Sequence, residues 1–510
     1  MARTIAIWHQ QMTPEAELMY LEGIRQVEQL SPLPRWALFA GCGIASKFWS
    51  AYSVVLRGLY GIHIEFPIVL YSEKDTAKRR FLNAHLPASA FVSTDVMHLP
   101  HADAAFNERI DRSELLPHGQ ILDAGVPCHS RTSLSCNSSK NKNCVQEGRE
   151  ATGEGFVATC QTSFRHGMNM VSCECVTLLG QKDPDDKDAK SDKEFIVDEF
   201  RKQKFWSHAE DLDAEEWGSY PARSRSYWAA LRGLVGTHAE ITHFFKTVHN
   251  SFKVKMPMPT SYFITLDEKQ RREEAATIGV PLHSEFGPRE PKREKDEYKW
   301  KLEHKLHFEG VGVAWPIDWG AVSAGLQFNG LLMREREAVV YFDSVFPAKP
   351  ATTSPILEFI DVNPSIGRIM KSYVDWDLSL KDPTSSPWHT RPTTIVGSAN
   401  MVVRISFPGN PVATVRLLEC FEYMRMIGWG DDEWAIPELS KPPGGERSCD
   451  YLELVANMVG NAYSVYHYGP WNMAMLSTFG TYHKDLGRRG HVCESSSSEG
   501  KSSASDSDSD

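Results

Sequence analysis

The chain has 510 residues, 41% of them hydrophobic and 24% charged, enough apolar material for a sizeable core and for two to four domains. A formal net charge of −11 argues against a simple cationic nucleic-acid coat protein, although the excess acid sits in residues 182–199, 210–216 and 494–510 and leaves room for a locally basic cleft. The first ten residues lack the pattern of a secretory signal, and no apolar run approaches the ~20 residues of a membrane helix, so the chain reads as soluble and intracellular.

Thr13-Pro14-Glu15 opens a helix within the first thirty residues, with apolar spacing at Leu18, Leu21 and Ile24. Residues 36–40 read as a short buried strand that runs into the turn Gly41-Cys42-Gly43, and residues 44–58 as the helix after it. The pattern then repeats: strand 66–71, helix 73–85, strand 91–95, strand 121–126 closed by Pro127-Cys128, a polar loop to about residue 151, helix 155–166 and strand 169–176. Near-continuous apolar strands alternating with helices predict an α/β fold with a largely parallel sheet covered on both faces. Residues 181–194 are a charged connector, and residues 219–231 resume a strand-like pattern.

From about residue 233 to 392 the alternation is lost. Helices are predicted over 267–276 and 292–304, and strands over 310–315 and 338–342. This region reads as an inserted mixed α+β domain. Order returns with residues 394–407, a helix over 415–426 and a final helix near Leu452, and the last seventeen residues are Ser/Asp-rich and predicted disordered. The resulting division is an N-terminal helical extension (1–33), a core (34–232), the insert (233–392), a return to the core (393–485) and an acidic Ser-rich tail (486–510).

Several residues stand where chemistry is expected. Glycines after a first strand let backbone approach a ligand closely, and Glu73 and Asp95 end the second and third strands, where an acid can accept hydrogen bonds from ribose hydroxyls. Cys128 follows a strand end and a proline, which suits a nucleophile on a movable loop. Glu174 lies within an apolar strand, where desolvation raises the pKa and favours a proton donor. Arg223 and Arg225 share one face of a strand and could meet phosphate or a carbonyl oxygen. The ten cysteines include no CxxC pair, so free thiols and no metal site are expected.

This ordered set resembles the DNA cytosine-C5 methyltransferase family. Leu38-Phe39-Ala40-Gly41-Cys42-Gly43 is similar to its first cofactor motif, Tyr71-Ser72-Glu73 and Asp95-Val96 to its second and third. Pro127-Cys128 is similar to its catalytic motif, Glu174-Cys175-Val176 to Glu-Asn-Val, and Arg223-Ser224-Arg225 to Gln-x-Arg-x-Arg. Arg416-Leu417-Leu418-Glu419, Gly428-Trp429 with Asp431-Asp432, and Gly460-Asn461-Ala462 resemble its last motifs. The likeness covers about 34–235 and 394–480.

The resemblance implies a Rossmann-like sheet that binds S-adenosylmethionine through Phe39, Gly41, Gly43, Glu73, Asp95 and Asn461. It further implies catalysis by Cys128, Glu174, Arg223 and Arg225 on a cytosine flipped out of duplex DNA, read by the insert. A nuclear address, in a eukaryote, would follow from that substrate, and otherwise a cytoplasmic one; no membrane is involved. The chain also departs from the family: Ala37 stands for Asp, Ile44 for Gly, His129 for Gln, Cys175 for Asn and Pro221 for Gln, and the loop 130–150 lacks Phe-Ser. These departures leave open a catalytically impaired protein that keeps the fold and binds nucleic acid or a partner. A tRNA cytosine methyltransferase is a further alternative, opposed by the large insert, and a nucleotide-binding oxidoreductase would leave Cys128, Glu174 and Arg225 without roles.

Overall fold

The computed structural model describes residues 1–128, 143–182, 189–221, 223–255, 258–280, 295–319, 331–362, 388–392, 401–430 and 462–486, with a few isolated positions between them. The chain opens with two helices, α1 (Ala2–Gln11) and α2 (Pro14–Glu28). The predicted start of the second is where it lies: Thr13 caps it by accepting from the Ala16 N–H at 3.3 Å, and Pro14 takes the first turn, where no N–H is needed. The single expected helix is broken into two at Met12, whose backbone is extended.

There follow β1 (Arg35–Leu38), α3 (Ile44–Tyr60), β2 (Ile68–Ser72), α4 (Thr76–His85) and β3 (Phe91–Ser93). The hairpin β4 (Ala104–Asn107) and β5 (Arg112–Leu115) stands apart. Next come β6 (Ile121–Gly125), α5 (Glu150–Arg165), β7 (Met170–Cys175), α6 (Asp192–Lys202), β8 (Phe205–Asp213), β9 (Ser224–Arg232) and α7 (His238–Ser251). Capping boxes start α6 (Ser191 with Glu194) and α7 (Thr237 with Glu240).

The main sheet has seven strands in the order β3-β2-β1-β6-β7-β9-β8. The pairs β3–β2, β2–β1, β1–β6 and β6–β7 are parallel, and β9 runs antiparallel to both its neighbours. This is the Rossmann-like methyltransferase sheet expected, α/β with helices on both faces. The reversed strand between β7 and β8 separates it from the all-parallel dinucleotide-binding order of a hydride-transferring enzyme.

One face of the sheet (Ile121, Met170, Tyr227, Ala229) packs against α2, α3, α7 and a late helix, α12 (Val465–Tyr482); the other (Trp36, Leu122, Ala124, Cys173, Cys175) packs against α5 and α6. Before α12 the chain forms α8 (Glu268–Ile278), α9 (Lys295–Gly310), β10 (Leu326–Gln327), α10 (Met333–Val345), β11 (Ile356–Asp361), β12 (Met401–Ser406), β13 (Thr414–Leu417) and α11 (Cys420–Ile427). β10, β13, β12 and β11 make a second, small sheet that buries Val402, Val415 and Leu417 against Ala338 and Phe342 of α10. α7, within the stretch assigned to the insert, packs on the main core, with Phe245 and Trp471 ring centroids 4.7 Å apart.

Three expectations are corrected here. Residues 338–342 are helical, within α10; Glu335, Ala338, Val339 and Phe342 are buried at helical spacing, and a short apolar run does not by itself separate helix from strand. Residues 310–315 form a turn after α9 rather than a strand. The helix expected over 415–426 begins as strand β13 and turns helical only at Cys420. The predicted helix near Leu452 falls outside the described residues, whereas α12, eighteen residues long and buried almost throughout, went unread.

α12 reaches the sheet through close backbone approach and one charge. A Cβ at Gly480 would lie 1.9 Å from Gly23 O, and one at Gly23 would lie 2.1 Å from Ser477 O, so α2 and α12 cross where neither can carry a side chain. Inside the sheet, Arg35 of β1 holds Asp123 of β6 at 2.8 Å; the Tyr468 hydroxyl donates to the same carboxylate, and the Trp49 indole N–H donates to Tyr468 at 2.7 Å. Burial pushes the Asp123 carboxyl up, and Arg35 and Tyr468 pull against it. Among the described residues, no helix is long and apolar enough to cross a membrane. Asp123→Ala should lower the unfolding free energy by about 3–5 kcal/mol, because Arg35 is then buried without its counter-charge. Urea titration reads this, and a loss below about 1 kcal/mol would show that the pair does not hold the sheet.

Candidate active site

The site is built at the carboxyl ends of β1, β2, β3, β6, β7 and at the start of β9. After β1 the backbone passes through Phe39, Gly41 and Gly43 at φ of 52°, 56° and 73°, the left-handed region that favours glycine. Gly43 also has no room for a side chain, since a Cβ there would lie 2.9 Å from Leu82. The Gly41 N–H donates to Glu73 Oε2 at 2.9 Å, so the turn after β1 is fastened to the acid after β2. Glu73 Oε1 accepts from the Asp75 N–H at 3.0 Å, and Asp95 accepts from the Met97 N–H at 2.9 Å. These carboxylates therefore shape their loops, and each oxygen still has a lone pair for a ligand hydroxyl. Cys42, between the two glycines, is fully buried and its thiol is pushed up to about 11 by burial, so it is inert.

The second half of the site lies beyond β6. The Val126 N–H donates to Glu174 O at 3.2 Å, which continues the β6–β7 pairing past the last strand residue until Pro127, with no N–H, releases the chain. α5 comes in close beneath: a Cβ at Gly155 would meet Val126, Phe39 and Pro127 at 3.0–3.3 Å. Cys128 is half-buried. Burial pushes its thiol up, Arg225 and Arg223 pull it down, and Glu174 pushes it up again. Glu174 ends β7, 6% exposed, with Arg225 Nε 2.9 Å from Oε1. Burial drives its carboxyl up and the two arginines offset part of the shift. Arg223 is buried; burial and its neighbour Arg225 bring its guanidinium down to about 10, and its Nη2 donates to Ala462 O at 2.7 Å. Arg225 Nη1 donates to Ser224 O at 2.8 Å.

Cys128, Glu174, Arg223 and Arg225 thus stand within electrostatic reach of one another, and Phe39, Gly41, Gly43, Glu73 and Asp95 line the neighbouring strand ends. Asn461 lies outside the described residues, as do His129 and the loop to residue 142. Among the described residues, no three His, Cys, Asp or Glu side chains are grouped to hold a metal ion.

Two tyrosines were missed in the sequence. Tyr227, buried, is paired with Glu174 in the β7–β9 register, and period-two alternation from Arg225 could have found it. Tyr463 directly follows Gly460-Asn461-Ala462, and a Cβ at Gly125 would lie 3.4 Å from its ring. Chemically, the cluster sets a thiol beside a carboxyl that favours its protonated form and beside two guanidinium groups. That combination suits addition of sulfur to an electron-poor ring with proton delivery to a ring nitrogen.

No protein-family model matches the chain, and no curated protein matches it. Solved structures to which it is similar include the Dnmt2 methyltransferase of S. pombe (TM-score 0.39, 9% identity, 88% of this chain and 98% of that one). The Entamoeba histolytica methyltransferase EhMeth gives a TM-score of 0.38 at 9% identity, over 88% of this chain and 98% of that one. A mutant of Spodoptera frugiperda DNMT2 gives 0.38 at 10% identity, over 87% and 99%. At these values the likeness adds nothing to what the strand order already shows.

Removing Arg225 gives a pH-dependent signature. The folded state already holds the Glu174 proton more tightly than the unfolded chain, so this group's contribution to stability falls as pH rises above about 4.5. Arg225→Leu pushes the carboxyl further up, so the variant's stability deficit should grow between pH 5 and pH 8, by about 1.4 kcal/mol per unit of additional shift. Urea midpoints across that range test this; a deficit that stays constant with pH would separate Arg225 from Glu174.

Proposed function

We propose that this chain is an S-adenosylmethionine-dependent cytosine-C5 methyltransferase acting on duplex DNA through a covalent adduct at Cys128. One observation carries the reading: Cys128, Glu174 and Arg225, each from a different strand end, form one partly desolvated cluster beside the glycine turn. The strand ends fit the donor, with a left-handed glycine turn at Gly41 and Gly43 after β1 and with Glu73 and Asp95 following in order at β2 and β3.

The donor, when bound, supplies an electrophilic methyl group to C5 of the cytosine. Everything else is the work of this chain. Cys128 Sγ, as thiolate, forms a bond to C6, and the C5–C6 π electrons move into the ring. Glu174 delivers its proton to N3, which neutralises the charge that would otherwise build up there. Arg225 pairs with Glu174 and contacts the carbonyl oxygen O2, and both arginines favour the thiolate over the thiol. After methylation, loss of the C5 proton to water re-forms the C5–C6 double bond and expels the Cys128 thiolate, and the N3 proton returns to Glu174. The target base must leave the stack to reach this cluster, and the inserted region, with its separate sheet, would read the flanking sequence from the major groove.

A second reading, a methyltransferase-like protein that binds nucleic acid or a partner without transferring methyl groups, is favoured by Ala37, Ile44, His129 and Cys175, which stand where the family carries other residues. Covalent trapping separates the two. With S-adenosylmethionine and duplex DNA containing 5-fluorocytosine, the fluorine blocks the final elimination, so an adduct should persist on a denaturing gel and disappear in Cys128→Ser. An adduct on tRNA alone would reassign the substrate to RNA, and no adduct on either would favour the non-catalytic reading.

A further inference from the structure

The sheet brings a second thiol up to the nucleophile. On β6, Leu122 and Ala124 face the α5 and α6 side of the sheet, and Val126, two residues on, packs into the same cluster. Period-two alternation puts Cys128 next in that row, and it packs against the same cluster. On β7 this face is taken by Val171, Cys173 and Cys175. The two strands are parallel with Gly125 opposite Glu174, and the Val126 N–H donates to Glu174 O at 3.2 Å, so the register holds one residue past β6 and sets Val126 beside Cys175. Cys128 follows two residues later on the same face, where Pro127 has released the chain from the sheet.

If both chains ran straight, one strand spacing and two residues of rise would hold the Cα atoms of Cys128 and Cys175 about 8 Å apart. A disulfide spans up to about 7 Å. The difference is within the reach of a residue past the end of a strand. The two sulfurs also differ in what they can do. Cys128 is half-buried, and Arg225 and Arg223 favour its thiolate. Cys175 is 1% exposed; burial pushes its thiol well up, and Cys128 pushes it up further. Cys128 is therefore the sulfur that ionises and meets a solute, and Cys175 stays a thiol behind it. The family that the sequence resembles carries Asn at this position, which has no such chemistry.

We propose that Cys175 is a resolving thiol for Cys128, and that a hydroperoxide joins the two in a reversible disulfide that withdraws the nucleophile. Cys128 Sγ, as thiolate, attacks one oxygen of hydrogen peroxide. An S–O bond forms, the O–O bond breaks and hydroxide leaves, so sulfur is oxidised by two electrons to the sulfenic acid and the peroxide is reduced. The hydroxide takes the Cys175 proton and becomes water. Cys175 Sγ then attacks the Cys128 sulfur; the S–S bond forms, the S–O bond breaks and a second hydroxide leaves. A dithiol reductant reverses the bond. Formation of the disulfide is independent of the functional reading above; its consequence, a block of adduct formation, rests on that reading.

The test treats the reduced full chain with hydrogen peroxide, caps the remaining thiols with iodoacetamide and digests with trypsin in the absence of reductant. Mass spectrometry should find the peptide 113–131, which carries Cys128, joined to the peptide 166–182, which carries Cys173 and Cys175. Fragmentation of the joined wild-type peptides should place the bond at Cys175, an assignment that does not depend on any variant folding. In parallel, peroxide should abolish the wild-type adduct on 5-fluorocytosine DNA, and dithiothreitol should restore it. Cys175→Ser should form the adduct before treatment and lose it to peroxide without recovery, because an unresolved Cys128 goes on to sulfinic acid. Cys128 found as sulfinic acid with Cys175 capped, Cys128 joined to any other cysteine, or full recovery of Cys175→Ser with dithiothreitol would each overturn the inference. An untreated wild type that forms no adduct would overturn the functional reading, and the joined peptides would still decide the disulfide.

Discussion

A carboxylate sits in the middle of the sheet with no access to water, and the rest of the fold is arranged around it. Asp123, in the strand that leads to Cys128, is tolerable only because Arg35 on the neighbouring strand and Tyr468 on α12 reach it. The consequence is positional. The Arg35–Asp123 pair ties the strand ending in the glycine turn to the strand ending in Cys128. Tyr468, 345 residues further along, adds the helix whose preceding turn carries Ala462 and Tyr463. Two halves of a site, contributed by segments more than 300 residues apart, are thereby held to one frame.

The same desolvation tunes the chemistry. Cys128, Glu174 and Arg223 are all moved by burial away from their charged forms. Arg223 and Arg225 restore part of what burial takes from the two acids, so the charge state of each depends on the presence of the others. A second buried cluster behaves differently. Arg416 donates to both oxygens of Glu422 at 2.7 and 2.8 Å and to the carbonyls of Thr265 and Leu417. Glu419 is met by Arg271, and by His283 through its ring and its N–H. Although burial opposes it, His283 and Arg416 hold the Glu419 carboxyl down at about 2. Arg416 and Glu419, read in the sequence within a family-like motif, thus lie in a well-bonded joint between β13, α8 and α11.

The parallel strands were legible because each is a short apolar run stopped by a residue with one physical use: glycine at 41 and 43, an acid at 73, proline at 127. The juxtaposition of Cys128, Glu174 and Arg225 was legible only through resemblance, since no local pattern says that β9 reverses and inserts beside β7. α12 was illegible for a plain reason. It is buried on nearly every side, so its sequence has no polar face and no helical period, and it contains Gly469, Pro470 and Gly480, which argue against a helix. Residues 338–342 show the converse fault: five residues taken without their neighbours look like a strand, and the buried positions of α10 emerge only over a longer window.

Three buried hydroxyls short of partners among the described residues lie around Glu174. Ser172, Tyr227 and Tyr463 are buried around Glu174, and none of their hydroxyls has a hydrogen-bond partner among the described residues. Each costs free energy on the order of 1–3 kcal/mol if nothing satisfies it. A sheet selected for stability alone would fill these positions with Val, Phe and Phe, which have nearly the same shape and no polar group to satisfy. That the hydroxyls persist beside the one strand-end acid paired with a strand-end arginine is the pattern expected where local stability is given up for function.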